Sequence, residues 1–375
     1  MVLSRHRINP TARSSRENLN PACGIEQQRG LPGVRFGEAI PLGQRTRQER
    51  SLFLAFSRRS AYIHATLFLQ NHQIMSLLLV IILLAVLFLV STAFVILVIG
   101  PLIILQPIRR TKEWYRSSTN LLEPRDAALP QEDVSLVSTD GLRLSGWFVP
   151  SKRKPKGTII YLHGVGDCKT AGVTLTRVLH KAGFHVLLYD SREHGESEGS
   201  YCTYGYNEKY DVSTAIDFLK KKRIRTGEIG IFGTSMGAAV AIQAAAVDHR
   251  IKAVAAEASF TDLRRISVDY QRRIVKLPWH FLRNVAMSRS QKIAQFKARD
   301  VSPINDVRKL SIPILFIHGM DDRLINYEYS KTLYHHANEP KDLFLVPGAN
   351  HQDLWEVAGS SYENKIVGFF RRWLH

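Results

Sequence analysis

The sequence predicts an α/β chain: a mostly parallel central sheet flanked by helices, with a helical cap insertion, preceded by one transmembrane helix. Three observations predict it. From Ser60 to Ile108 no Asp, Glu, Lys or Arg occurs, and within that gap Met75 to Ile99 is almost purely Leu, Ile, Val, Ala and Phe. From Asp133 onward, short β-rich runs alternate with helical ones, which is the pattern of right-handed βαβ crossovers. One of those runs, Ile229–Phe232, passes through a glycine-flanked serine straight into a helical stretch.

Residues 1–73 mix Arg, Gly, Pro, Ser and Gln without a sustained apolar period, and they carry 11 Arg, no Lys, four Glu and no Asp. They are expected to form a disordered leader. Arg- and Ser-rich, acid-poor leaders resemble transit peptides. The rival reading starts translation at Met75, and the absence of Lys before Lys112 favours it. A helix of about 20 apolar residues spans a bilayer because it satisfies every backbone group internally. Residues 75–105 are therefore expected to be a single-pass anchor. Its helix should end near Gly100-Pro101, since proline removes a backbone bond, with the short piece Leu102–Leu105 behind it.

Residues 106–130 read as a juxtamembrane linker that opens with Arg109, Arg110, Lys112 and Arg116. Upstream only Arg58 and Arg59 lie near the span, so the positive-inside rule puts the C-terminal domain in the cytoplasm.

Residues 131–375 read as one domain. SLVSTDGLRLSGWFV alternates apolar and polar residues about Asp140-Gly141, a two-residue hairpin signal. Strands are expected at Thr158–Leu162, His185–Tyr189, Ile229–Phe232, Ala253–Ala256, Ile314–Ile317 and Leu343–Val346. Helices are expected at Ala171–Lys181, Lys209–Lys221, Met236–Ala246, Tyr327–His336 and Tyr362–Leu374. Asp262 to Asp300 is too long for a normal crossover and carries ten basic residues together with Leu277, Trp279, Phe281 and Leu282. It reads as a helical cap over the carboxyl edge of the sheet, about 262–300.

Composition excludes several classes. Cys23, Cys168 and Cys202 are too few for a disulfide scaffold and lack zinc-ligand spacing. The 51 Lys and Arg against 33 Asp and Glu give +18, which invites a nucleic-acid reading, but no zinc finger, RRM-like or helix-turn-helix signature accompanies it. A basic surface beside a membrane helix is better explained by anionic lipid. No GxGxxG opens the first βα unit, which removes a dehydrogenase reading.

The chemistry gathers at Gly233-Thr234-Ser235-Met236-Gly237. A sharp strand-to-helix turn lifts a serine hydroxyl clear of the sheet at a helix N-terminus, where the dipole favours developing negative charge. A serine needs a base, and His351 supplies it. His351 follows the strand Leu343–Val346, and parallel strands bring all their carboxyl ends to one edge. An aspartate in His318-Gly319-Met320-Asp321-Asp322, one strand over, can hold the other nitrogen of His351. The backbone N–H of Met236, the residue after the serine, is one expected oxyanion donor.

These residues resemble the α/β-hydrolase superfamily from about Asp133 to the C-terminus, in the branch of ABHD-type and serine aminopeptidase-like hydrolases. The resemblance implies that the acid of an HGxxD motif falls on Asp322, with Asp321 the runner-up. It places the family's GxGHxD-like loop on Gly348–Asp353, where Asn350 stands in place of a glycine and is expected to matter little. The family HG-x-G loop falls on His163-Gly164-Val165-Gly166 and implies Val165 as the second oxyanion donor. A DxRGxGxS-like segment falls on Asp190–Ser197 with Glu193 in place of glycine, and it reads as structural.

The resulting expectation is a membrane-anchored serine hydrolase. It would cleave an ester, thioester or amide through an acyl-enzyme on Ser235, with no metal or organic cofactor. Expected partners are a small-molecule or lipid-like acyl substrate and membrane lipids, with no nucleic acid. The alternative is a non-catalytic binding or scaffold protein of the same fold at the membrane.

Overall fold

The computed structural model describes residues 46–151, 154–222, 226–276 and 280–375. The chain divides into two units, Met1–Ile82 and Leu83–His375. Helix α1 runs from Arg47 to Leu105, 59 residues, and is long and apolar enough to cross a membrane. Its start differs from the expected leader. Residues 47–73 are helical, because they contain neither Gly nor Pro and because Thr46 and Glu49 form a reciprocal cap: the Thr46 N–H donates to Glu49 Oε2 at 3.0 Å and the Glu49 N–H to Thr46 Oγ1 at 3.4 Å. Residues 1–45, including Cys23, lie outside the described residues.

The helix also continues past the expected stop at Gly100-Pro101. Val95–Ile99 form a π turn in which the Gly100 N–H reaches back to Val95 O, and an α-helical turn, Gly100–Leu105, follows. The wider turn takes up the bond that Pro101 cannot make, so the proline sits inside the helix instead of ending it.

The eight-stranded sheet has the order β1-β2-β4-β3-β5-β6-β7-β8. Strands β1 (Glu132–Val137) and β2 (Arg143–Val149) pair antiparallel, and β2 is also antiparallel to β4 (His185–Tyr189). The remaining pairings, through β3 (Thr158–Leu162), β5 (Ile229–Thr234), β6 (Ile251–Glu257), β7 (Ile314–Gly319) and β8 (Lys341–Val346), are parallel. The β1–β2 connection is longer than the two-residue turn expected: Ser138 N–H donates to Leu142 O across it, and Gly141 takes φ +88°. A three-residue loop with a left-handed glycine gives the same strand reversal.

Helices α2 (Val173–Lys181) and α8 (Ser360–Trp373) cover one face of the sheet, with Leu175, Leu179, Ile366 and Phe370 packed on Ile159, Val186 and Phe232. Helices α3 (Glu208–Lys221) and α4 (Met236–Val247) cover the other, over Ile160, Leu187 and Ile231. Because both faces are buried, β3 and β4 have no exposed position and read as unbroken apolar runs.

Between β6 and β7 lie the cap helices α5 (Leu263–Tyr270) and α6 (His280–Ile293), and α7 (Glu328–His336) follows β7. Leu277 and Trp279 fall outside the described residues. Leu263, Ile266, Met287 and Phe296 form a third apolar cluster, which also takes in Leu105 from the end of α1.

Candidate active site

Ser235 occupies the turn between β5 and α4 with φ +53° and ψ −114°, a region that costs a side-chain-bearing residue of order 1–3 kcal/mol. Its N–H donates to Glu257 O on β6 at 2.7 Å, which pins the turn to the neighbouring strand. The flanking glycines are needed for contact. A Cβ on Gly233 would lie 2.2 Å from Gly237 O, and one on Gly237 would lie 2.2 Å from Leu162 O. The packing of strand, turn and helix therefore excludes any side chain at either position.

His351 Nε2 lies 3.2 Å from Ser235 Oγ, and its Nδ1 lies 2.6 Å from Asp322 Oδ2. The structure thus brings together the serine, the histidine and the first-choice aspartate. Asp321 points its side chain to solvent while its N–H donates to Ala349 O at 2.9 Å.

Asp322 is held from several sides. Oδ1 accepts the N–H groups of Leu324 and Ile325, both at 2.8 Å. Oδ2 accepts from His351 and also faces His318 Nε2 at 3.2 Å. His318 Nε2 is 3.0 Å from Ile325 O, and its Nδ1 is 2.7 Å from Ser330 Oγ. Two acceptors face Nε2, so that nitrogen carries the proton and Nδ1 accepts from the serine hydroxyl. Burial works against the Asp322 charge, but the hydrogen bonds from His318 and His351 outweigh it and hold the carboxyl below its ordinary value.

Sequence reasoning passed over His318, which it treated only as the start of the HGxxD motif. It also undervalued Asn350. That side chain's Oδ1 accepts the N–H of Arg323 at 3.1 Å and of its neighbour His351 at 2.8 Å, so it ties the acid loop to the histidine loop. A glycine there could make neither bond.

The two expected oxyanion donors lie in the serine turn and in the neighbouring turn after β3. Met236 is the first residue of α4, its side chain buried with Sδ 3.4 Å from Cys202 Sγ. Val165 lies in the turn Gly164–Asp167, closed by the Asp167 N–H to Gly164 O bond at 3.2 Å, with Gly166 at φ +76°. That turn abuts the serine: a Cβ on Gly164 would sit 3.4 Å from Ser235 Cβ. His163 Nδ1 donates to Gly164 O at 2.8 Å and Nε2 accepts the Ser191 N–H at 2.9 Å, which locks the turn to the segment after β4.

The segment that follows the apolar helix lies on this same turn. The Arg110 N–H donates to Gly166 O at 2.8 Å, and Arg110 Nη1 pairs with Asp167 at 2.7 Å. Arg109 pairs with Glu193 at 2.6 Å. Glu193 has φ +63°, which explains why a glycine suits that position in the motif, and its carboxylate instead receives the arginine that follows the apolar helix. Within the same segment, Asp190 holds Lys169 Nζ at 2.6 Å and Arg192 joins Asp140 to buried Asp211. Cys168 and Cys202 are free and buried. Among the described residues no group of three or more His, Cys, Asp or Glu is arranged to hold a metal ion.

Comparison with known proteins gives concordant matches. The family model of the X-Pro dipeptidyl-peptidases (S15 family) matches residues 111–300. The Bacillus subtilis protein YqkD is 30% identical over 236 residues, covering 62% of this chain and 77% of its own. The human protein ABHD12B is 31% identical over 225 residues, covering 56% and 59%. Among solved structures, the Pyrococcus furiosus esterase Pf2001 superposes with a TM-score of 0.57 at 26% identity, over 68% of this chain and 95% of that one.

Proposed function

This chain belongs to the S15 family within the α/β-hydrolase superfamily and is a hydrolase, and from that premise we propose that it is a membrane-anchored serine hydrolase acting through an acyl-enzyme on Ser235. One observation carries the reading: His351 spans from Ser235 Oγ (3.2 Å) to Asp322 Oδ2 (2.6 Å), with the two ring nitrogens turned to the two partners.

In this reading His351 Nε2 takes the Ser235 proton as Oγ attacks the acyl carbon. Asp322 keeps the proton on Nδ1 and stabilises the imidazolium that forms. The N–H groups of Met236 and Val165 receive the oxyanion. The imidazolium then protonates the leaving group, and water, deprotonated by His351, attacks the ester on Ser235 and frees the acid. The esterase neighbour favours an oxygen ester as substrate, and thioesters and amides would follow the same steps.

The apolar helix would anchor the chain as a single-pass span within 75–105, its last turn, with Pro101 and Leu105 buried in the domain, lying outside the hydrocarbon. Arg109, Arg110, Lys112 and Arg116 on its C-terminal flank favour a cytoplasmic hydrolase domain.

Fluorophosphonate labelling of the full chain in membranes tests the mechanism. Label is expected on Ser235 and lost in Ser235→Ala. Asp322→Asn should lower turnover of a short-chain ester by roughly 10³–10⁴, and Asp321→Asn should leave it near wild type. A folded wild-type chain that takes no label would favour the non-catalytic scaffold.

A further inference from the structure

The cap carries ten basic residues and three acidic ones between Asp262 and Asp300, a net of +7. Among the described residues, only Arg299 of those ten forms an ion pair, with Asp300 at 3.5 Å. Such a surplus of unpaired charge calls for an anionic partner, and two features say where.

The first is a cleft between α5 and α6. It has a volume of about 260 Å³, and its lining includes Arg264, Ser267, Arg283, Asn284, Ser288 and Gln291. Arg283 directs Nε and Nη2 to Asn284 Oδ1 at 3.2 and 2.8 Å, whereas its buried Nη1 has no acceptor among the described residues. A buried guanidinium N–H without an acceptor is costly, and a small turn of the Arg283 side chain toward the cleft would let an anionic oxygen relieve it.

The second is the position of α6. Its Ala286–Ser290 face packs on the end of α1. Ser290 Oγ lies 3.3 Å from Pro101 O, and a Cβ on Gly100 would lie 3.4 Å from Ala286 Cβ. Arg283, Met287 and Gln291 form the adjacent face and open into the cleft. The charge-free run ends at Ile108, past the end of α1, and the first charge is Arg109; Pro101 and Leu105 are already buried in the domain, so Gly100 and Pro101 stand where an anchor leaves the hydrocarbon. The cleft is thereby held at headgroup level.

We propose that the α5–α6 cleft binds the phosphate of an anionic phospholipid headgroup through Arg264 and Arg283, seating the cap on the membrane surface. The planar guanidinium forks suit a phosphate, and the remaining cap cations favour a lipid of net negative charge over a zwitterionic one. This inference rests on the anchor reading of 75–105, and a chain that fails to enter a bilayer overturns that reading before any headgroup is tested.

The experiment is hydrogen–deuterium exchange of the full chain in phosphatidylcholine nanodiscs, with and without phosphatidylglycerol. Amides of 263–270 and 280–293 are expected to exchange severalfold more slowly when phosphatidylglycerol is present. The Arg264→Gln/Arg283→Gln pair should lose that protection. Lys292→Gln/Lys297→Gln, which removes the same charge outside the cleft, should keep it. Equal loss in both double variants would mean diffuse attraction without a site and would overturn the proposal. So would full protection by inorganic phosphate on neutral discs with nothing added by phosphatidylglycerol, since the source would then be a soluble phosphate.

Discussion

His318 Nε2 and His351 Nδ1 converge on one oxygen, Asp322 Oδ2, at 3.2 and 2.6 Å. The acid is therefore gripped from behind by a buried histidine that never faces the serine. In the proposed mechanism His318 is a positioning residue. His318→Ala should lower kcat by roughly 10-fold or more with little change in KM, because a misplaced base slows chemistry and not binding. His318→Gln, which keeps an N–H donor to Asp322 Oδ2, should restore part of the lost kcat. A kcat of His318→Ala equal to wild type, or no recovery in His318→Gln, would reduce His318 to a packing role.

Ser235, the proposed nucleophile, also carries backbone strain, since it holds φ +53°. Ser235→Gly and Ser235→Ala should both be inactive, and they should differ in stability. Glycine tolerates positive φ and alanine does not, so Ser235→Gly is expected to be more stable than Ser235→Ala by about 1 kcal/mol. Thermal melting of the two variants in the same detergent checks this, and equal melting temperatures would show that the turn relaxes when the hydroxyl is gone.

The strands were legible because parallel strands buried on both faces must be runs of Val, Ile and Leu, as in Thr158–Leu162 and His185–Tyr189. The serine turn was legible because its requirements are local: two glycines that clear Gly237 O and Leu162 O. What sequence reasoning missed is long-range. Asn350 meets Arg323 across 27 residues and Arg109 meets Glu193 across 84, and no spacing rule reports such pairs. The Pro101 stop failed for a different reason. A local rule was sound, but a π turn one step earlier absorbed the defect.

Asn350 gives a direct test of that missed layer. Asn350→Gly restores the residue usual in the motif and deletes the two bonds to Arg323 and His351. It should slow turnover several-fold and raise the backbone mobility of both loops. Order parameters or exchange rates that stay unchanged around 321–326 and 348–353 would show that the loops are held by other contacts.

Asp167 carries the corresponding prediction for the strap that follows the apolar helix. Its carboxylate receives Arg110 Nη1 at 2.7 Å and the Tyr115 hydroxyl at 2.8 Å, and it belongs to the turn that presents Val165. Asp167→Ala should loosen that turn and lower kcat, and Arg110→Gln should reproduce part of the effect. Additive losses in the double variant would indicate that the two residues act separately.

Glu257 supplies the last prediction, a pH dependence of stability. Burial pushes its carboxyl up to about 7, although the Tyr362 hydroxyl donates to it. The folded state therefore holds this proton more tightly than the unfolded chain, whose carboxyl titrates near the ordinary value of 4.5. The stabilisation is complete below that value and is lost as pH rises through about 7, a change of up to about 3 kcal/mol. Two other buried groups overlap this window. Asp211, raised to about 6 by burial, has the same sign at lower pH. His194, lowered to about 3 by burial, has the opposite sign, because the fold prefers it neutral and gains stability as pH rises toward 6.5. Total stability across this range is thus a poor readout, and the difference between wild type and Glu257→Gln is the informative one. Glutamine keeps an acceptor for Tyr362 and removes the titration. Wild type should lose stability relative to Glu257→Gln from pH 5 to about pH 7 and level off above it, by melting temperature at fixed ionic strength. A difference that stays flat over that interval would place the Glu257 titration outside it.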